Sequence, residues 1–395
     1  MMDDVNVKVL EMLAAVVHCR RPMRIGADEW PAIRRELRAQ TVLALPADYI
    51  KDMELAAEYE SAYTVAVVRN MQVFHALMLE QDRVLSVLEA ADVPVVVIKG
   101  AAAAVNYPHP ENRCMGDIDL LVRPQDFHRA FEVLVDAGFV ADKTPDDFFR
   151  HIRLHSESNI EIELHYHFSC SDNHAQNEVL DAILYLAISS RVIADCEGYS
   201  VSMLPPVENG LVLLSHINQH LSTGLGLRQI IDWMMFVEKY VDDEFWQNGF
   251  ADLADRIGMK RLAIITTAMC QKYLGLHKDI HWACYEPVCD ELMNYILSRG
   301  NFGKKEDPTR HNVISILQNF HNPLHGFATM QRNGLHNWKA TKKHPWLRPF
   351  AWCYQLIRWL TKGIKQGVNA DILVNATSSA QNVAELIEKL GVTRL

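Results

Sequence analysis

The chain has 395 residues, 49% of them hydrophobic and 22% charged, with a formal net charge of −10. That is long enough for two or three domains with cores of their own, and the balance excludes a disordered, fibrous or disulfide-stapled chain. No apolar run reaches the roughly 20 residues that a membrane span needs, and the N-terminus MMDDVNVKVLEML carries acids where a signal peptide carries bases, so a cytoplasmic protein is expected.

Residues 5–17 and 29–40 read as short helices, the second with Asp28 before it and Pro31 in its first turn. A longer helical pattern runs from about Asp48 to Ala91, free of proline and glycine. Val68, Met71, Phe74, Leu77 and Met78 recur along it at three- and four-residue steps and make one apolar face.

The most informative stretch follows at residues 93–123, VPVVVIKGAAAAVNYPHPENRCMGDIDLLVR. An apolar run from Val93 to Ile98 ends at Lys99-Gly100, and Asp117-Ile118-Asp119-Leu120 opens a second run, which reads as strand, turn, helix start, strand. Side chains alternate across a strand, so Asp117 and Asp119 point to the same side of the sheet. Two like charges so close are unfavourable without a cation, and oxygen-only ligands select a hard ion such as Mg²⁺. Gly100 has no Cβ, so the backbone there can come close to a phosphate.

Pro124-Gln125-Asp126 then starts a helix that ends at Gly138. Aromatic-rich FFRHIRLH leads through a Glu157-Ser158-Asn159 turn into IEIELHYHF, which alternates cleanly. Ile160, Ile162, Leu164, Tyr166 and Phe168 share one face; Glu161, Glu163, His165 and His167 share the other. With an acid pair upstream, that polar face is expected in an active site rather than in solvent. His165 there either orients a carboxylate or phosphate or simply caps the sheet.

From about Asn177 the pattern turns helical and stays so, with Pro205-Pro206 as punctuation. Residues 207–222 carry His216 and His220 four apart on one helix face, but zinc would need a third ligand and the pair lacks the glutamate of HExxH. Arg228 and Asp232 stand at i, i+4 on the next helix. Trp246 and Trp282 are expected in the core, and Asn301 to Pro308 reads as a polar linker.

Beyond it, from Pro308 to Ala370, there is no acid, while Arg310, Arg332, Lys339, Lys342, Lys343, Arg348, Arg358, Lys362 and Lys365 are all basic. Such a segment suits an acidic partner, a nucleic acid or a membrane surface, or folds back on the acidic body of the chain. Trp352, Leu356, Trp359 and Leu360 fall at helical spacing beside these bases, a pattern shared by interfacial membrane helices and ordinary core stripes. The eight cysteines (Cys19, Cys114, Cys170, Cys196, Cys270, Cys284, Cys289, Cys353) form no CxxC pair and read as reduced thiols. There is no Walker motif, internal repeat or clear nucleic-acid module.

Lys99-Gly100-Ala101 together with Gly116-Asp117-Ile118-Asp119 resembles the signature of the nucleotidyltransferase superfamily, a small-residue turn followed by an acid-hydrophobic-acid strand. More narrowly, IKGAA, Tyr107-Pro108, Arg113 and GDIDLLV resemble a bacterial group of uncharacterised nucleotidyltransferases over about residues 90–240. The resemblance implies an α+β fold with a DNA polymerase beta-like small mixed sheet and flanking helices, embedded in a largely helical chain. The expected division is an N-terminal helical region (1–90), the α/β core (91–175), a helical domain completing the cleft (176–300) and a basic helical C-terminal region (301–395).

The superfamily takes a third carboxylate from a strand placed like IEIELHYHF. Glu163 is chosen over Glu161 because Glu-Leu-His followed by an aromatic resembles the family's wording. Two Mg²⁺ ions would be held by Asp117, Asp119 and Glu163, with Glu163 also placed to take the acceptor's proton. An NTP, expected to be ATP, would have its phosphates held by the backbone at Gly100 and Ala101 and offset by Lys99 or Arg113. Superfamily members often carry serine where this chain has Ala101, so that hydroxyl is missing. His216, His220, Arg228 and Asp232 resemble a second block of the family that lines the nucleotide cleft; a purely structural network is the alternative. The implied reaction moves an NMP group to a hydroxyl of an unidentified acceptor and releases pyrophosphate. A non-catalytic nucleotide- or partner-binding protein and a phosphodiester hydrolase are the competing readings.

Overall fold

The computed structural model describes residues 2–142, 150–169, 171, 173–306, 313–314, 317, 323–365 and 370–393. Phe148, Phe149, Cys170, Pro308 and Arg310 lie outside the described residues.

Two short helices open the chain, α1 (Asp4–Val16) and α2 (Trp30–Ala39). Asp3 caps the first by accepting from the Asn6 N–H at 2.7 Å. The long helix α3 (Ala57–Ala90) starts at Ala57 rather than Asp48, because a short 3₁₀ turn at Ala47–Tyr49 and a left-handed Glu54 (φ 50°) come first. Its buried stripe runs through Tyr63, Val67, Phe74, Leu77, Met78, Val84 and Leu88, while Val68 is exposed. The helix closes where Asp92 turns left-handed (φ 53°) and the Val93 N–H reaches back to the Leu88 carbonyl at 3.0 Å.

Seven strands then build one mixed sheet in the order β3-β4-β5-β2-β1-β7-β6. β1 (Val95–Val97) is a fully buried valine run, antiparallel to β2 (Ile118–Val122), and α4 (Gly100–Ala104) lies between them in sequence. α5 (Phe127–Asp136) follows, then the two-residue edge strand β3 (Val140–Ala141). β4 (His151–His155) and β5 (Glu161–His165) make a hairpin through a left-handed Asn159 (φ 58°), and β5 runs parallel to β2 with Asp119 beside Glu163.

The last two strands correct the expectation of unbroken helix after Asn177. α6 (His174–Ala187) is helical, but β6 (Val192–Cys196) and β7 (Tyr199–Met203) form a second hairpin, and β7 adds parallel to β1. Its turn is Glu197 (φ 54°) and Gly198 (φ 81°), two positive-φ residues whose twist matches that of antiparallel strands.

Alternation assigns the two sheet faces. Val95, Val97, Ile118, Leu120, Val122, Ile162 and Leu164 pack with Phe74, Leu77 and Leu134 from α3 and α5. Val96, Ile98 and Leu121 belong to the larger cluster built by α7 (Pro206–Thr223) and α8 (Leu227–Tyr240), which also takes in α1, α2 and the helices Lys260–Tyr273 and Val288–Arg299. Asp119 shares the side of Leu121, so the polar face of the sheet looks toward the helices. Phe168 departs from its expected face and joins the helical cluster, because β5 ends at His165. Trp246 stacks on Trp282 with ring centroids 4.0 Å apart.

Residues 301–306, part of the Asn301–Pro308 stretch read from sequence as a linker, are tied to the body of the chain. Asn301 is buried and donates to Thr41 Oγ1 at 2.8 Å, and the Phe302 N–H donates to the Gly224 carbonyl at 2.9 Å. In the basic C-terminal region the helices Pro323–Asn337 and Ala351–Lys365 lie together. Trp352, Leu356 and Trp359 are half-buried there, and Ile357 and Leu360 are exposed beside Arg358 and Lys362. No helix among the described residues is long and apolar enough to cross a membrane.

Candidate active site

The turn after β1 forces its residues into unusual backbone. Lys99 takes φ 57° and ψ −132°, a strained region for a residue with a side chain, and Gly100 follows at φ 20°. The Lys99 ammonium donates to Asp119 Oδ1 at 2.9 Å and sits 5.6 Å from the Phe168 ring centroid. A Cβ on Gly100 would meet only the Asp117 carbonyl oxygen at 3.7 Å, so the space in front of this turn is open. The Ala103 N–H makes the 2.8 Å bond to the Lys99 carbonyl that starts the helix, and the amides of Gly100, Ala101 and Ala102 precede it without a helical partner.

Asp117, Asp119 and Glu163 converge beside that turn. One carboxylate oxygen from each lies within 4.8 Å of the others, with Asp117 exposed and the other two buried. The register that sets Asp119 against Glu163 on adjacent parallel strands makes this possible. Glu161, two residues away, is half-exposed and ion-pairs with Arg153 Nε at 3.2 Å, outside the group.

The three acids differ electrostatically. Burial alone would raise the Asp119 carboxyl, but the Lys99 ammonium and a 2.9 Å hydrogen bond with His165 Nε2 hold it far below the usual carboxylate range. Glu163 meets the same opposition from burial, yet His165, 3.3 Å from its Oε2, and the nearby His151 bring it down to about 2. Asp117 lacks such partners, and desolvation by the surrounding protein followed by the charge of Asp119 pushes it up to about 6. The described side-chain contacts of Asp119 all fall on Oδ1.

Two residues of this site were missed from sequence. Arg153 donates through Nε to Glu163 Oε1 at 3.0 Å, and His151 Nε2 stands 3.4 Å from the same oxygen. Their signal was available: HIRLH alternates, and counting back across the Glu157-Ser158-Asn159 turn pairs Arg153 with Glu163 and His151 with His165. His167 does not join the site and contacts Asp181 Oδ2 at 3.0 Å.

The helical side supplies a second group. Arg113, expected as a candidate partner for the phosphates, is buried, and its Nε and Nη2 both donate to Asp232, each at 2.7 Å. The Tyr107 hydroxyl donates to Asp232 Oδ1 at 2.7 Å as well. Arg228 donates from Nη1 to the Cys114 carbonyl at 3.1 Å, and its buried Nε has no hydrogen-bond partner. Arg228 and Asp232, a turn apart on α8, therefore do not pair with each other among the described contacts. His216 and His220 face each other, Nε2 to Nε2 at 3.0 Å, with Phe302 edge-on to His220. Burial holds both imidazoles neutral, His220 down to about 3, and the charges of Lys99 and Arg228 add to the effect.

Residues 26–275 match the sequence pattern of a family described as uncharacterised nucleotidyltransferase. The chain belongs to that family. The matched span holds every candidate residue from Lys99 to Asp232 and stops before the basic C-terminal segment. An antigenic nucleotidyltransferase-like protein from Paracoccidioides brasiliensis is similar over 47% of this chain and 92% of its own, at 14% identity and a TM-score of 0.29. No curated protein matches the sequence.

Proposed function

We propose that this nucleotidyltransferase moves an NMP group from an NTP, ATP first among them, to a hydroxyl of an acceptor, with Mg²⁺ dependence and release of pyrophosphate. The observation that carries the proposal is the convergence of Asp117, Asp119 and Glu163 beside the Lys99-Gly100 turn. An all-oxygen donor set of this charge fits a hard divalent ion; Asp117 and Asp119 would hold two ions between them, and Glu163 would complete the second. Bound there, the ions supply Lewis-acid neutralisation of the triphosphate and a template for in-line attack.

The chain's own residues prepare the site. Lys99 and His165 keep Asp119 ionised, and His165, His151 and Arg153 do the same for Glu163. A carboxylate held near 2 stays an anion at neutral pH, so Glu163 is better suited to ligation than to taking the acceptor's proton, which then leaves through water. The open amides of Gly100 and Ala101 face where phosphate oxygens can be received without the missing serine. Arg228, with an unpartnered Nε, supplies the cation from the helical side, and the Arg113–Asp232–Tyr107 network fixes the loop before β2. His216 and His220 line the cleft as neutral rings. In this division of labour the core at 91–175, extended by the β6–β7 hairpin, carries the chemistry, and 176–300 completes the cleft.

Incubation with α-labelled NTPs, Mg²⁺ and pooled small-molecule and macromolecular acceptors tests the reading. Label should pass to an acceptor with pyrophosphate release, and Asp117→Ala, at the exposed member of the three acids, should abolish transfer while keeping the fold. Ala101 favours one rival, a binding protein, which would retain nucleotide without releasing pyrophosphate. Nucleotide consumption without acceptor would point to a hydrolase.

A further inference from the structure

The strand at the end of the sheet, β6, carries an unusual set of exposed side chains. Val192 is 39% and Ile193 65% exposed, and Arg191 and Asp195 are exposed at either side of them. Neither Arg191 nor Asp195 forms an ion pair among the described residues. The strand has neither proline nor bulge, two of the devices that keep an edge from pairing with another chain, and the two charges along it are of opposite sign. An open cavity of about 570 Å³ lies between it and the C-terminal half of α3, lined by Asp82, Leu85, Ser86, Arg191, Ile193 and Ser202 among others. The opposite edge of the sheet is the two-residue β3, so β6 is the long edge among the described residues.

The hydrogen-bonding sense of the strand follows from its hairpin. Cys196 and Tyr199 close a two-residue turn, which makes them a hydrogen-bonded pair, and Ala194 with Val201 and Val192 with Met203 continue the same series. The main-chain groups of Arg191, Ile193 and Asp195 therefore point away from β7, out of the sheet. A strand of the same sequence laid antiparallel against this edge has one two-fold register in which Ile193 faces Ile193. In that register the outward-pointing residues meet one another, and Arg191 stands opposite Asp195 at both ends. Shifting the two-fold to Ala194 would keep main-chain bonding but set Ile193 against Asp195, losing both the Ile193 contact and the Arg191–Asp195 pairs.

We propose that β6 is a self-complementary edge through which two copies of this chain pair, continuing the seven-stranded sheet across a two-fold axis. Main-chain bonding requires outward-pointing residues to meet one another, the Ile193 contact and the Arg191–Asp195 pairs then favour the Ile193-centred register, and the interface is isologous as a two-fold requires. About six main-chain hydrogen bonds and two opposite-charge pairs form across the axis. The occupant is a second copy because the charges on the strand match its own reverse.

Sedimentation velocity on the full chain tests this, since one copy has a mass of 45.0 kDa. The wild type should sediment at twice that mass, and Ile193→Lys at the single mass. Arg191→Asp and Asp195→Arg each place two like-charge pairs across the axis and should weaken the dimer about tenfold or more. Mixing these two variants should restore it, because each then offers the charge that the other lacks. A damaged fold would not be rescued by mixing, so misfolding of a variant is distinguishable from loss of the contact. A wild type that remains a single copy at all concentrations overturns the proposal; so does a dimer indifferent to Ile193→Lys and to both charge reversals, or a failure of the mixture to reassociate.

Discussion

Asp232→Ala is the change whose effect on stability can be worked out most fully. Asp232 is 1% exposed and accepts three hydrogen bonds of 2.7 Å, two from Arg113 and one from the Tyr107 hydroxyl. Removing the carboxylate leaves a buried guanidinium without its counter-charge, a loss of about 3–5 kcal/mol. Tyr107→Phe deletes only one bond to a charged acceptor and should cost about 1.5–3 kcal/mol. Replacing both charges, Arg113→Met with Asp232→Leu, removes the desolvation cost together with the attraction. It should therefore cost well under the Asp232→Ala value, with the orphaned Tyr107 hydroxyl as the remaining loss. Equilibrium urea unfolding at neutral pH, followed by near-UV circular dichroism, measures all three as shifts in midpoint at unchanged slope. A cost for Asp232→Ala below about 1 kcal/mol, or a double variant as damaged as the single one, would refute the reasoning.

Three further predictions concern the same region. Asp117 is raised from 3.8 to about 6 in the folded chain, so its contribution to stability is full below about 3.8 and is lost as pH rises through about 6. In metal-free buffer Asp117→Asn should thus melt higher than wild type above about pH 6 and match it below about pH 4; the opposite sign would contradict the assignment. Glu163 is depressed from 4.5 to about 2, so it stabilises the fold above about 4.5 and that stability is lost as pH falls through about 2. Glu163→Gln should accordingly be less stable than wild type at neutral pH, the gap closing on acidification in a pH series of thermal melts. A Cβ at Gly224, where φ is 111°, would stand 2.2 Å from the Gly303 amide nitrogen. Gly224→Ala should then displace the 301–303 strap and destabilise the chain by about 1–3 kcal/mol in the same urea assay, and a neutral outcome would show the strap to be loosely held.

The sequence was most legible where chemistry and periodicity coincided. Asp117 and Asp119 on one strand, and Glu163 on a cleanly alternating one, could be placed on one polar face by counting alone, and the resemblance picked Glu163 from the two glutamates. Arg153 and His151 stayed hidden because their role depends on hairpin register, which only the turn length reveals. The β6–β7 hairpin escaped for a different reason. Val192-Ile193 and the alternating Tyr199-Ser200-Val201-Ser202-Met203 are strand signals, but they are short and stand between two helical patterns, and the Glu-Gly turn is a weaker mark than Asn-Gly. Arg113 shows the limit of reading charge from sequence: a loop arginine looks solvated until a buried aspartate 119 residues later is brought against it. The apparent linker at 301–306 was misread on polarity, since Asn301 is polar because it ties together Thr41 and Gln229.

The most direct test of the site is anomalous diffraction from crystals grown with Mn²⁺ and a non-hydrolysable ATP analogue. Manganese density bridging Asp117 and Asp119, with Glu163 on one of the ions at about 2.1 Å and the triphosphate against the Gly100-Ala101 amides, is the predicted result. An ordered nucleotide elsewhere, with no anomalous peak at these three carboxylates and Lys99 still seated on Asp119, would contradict it.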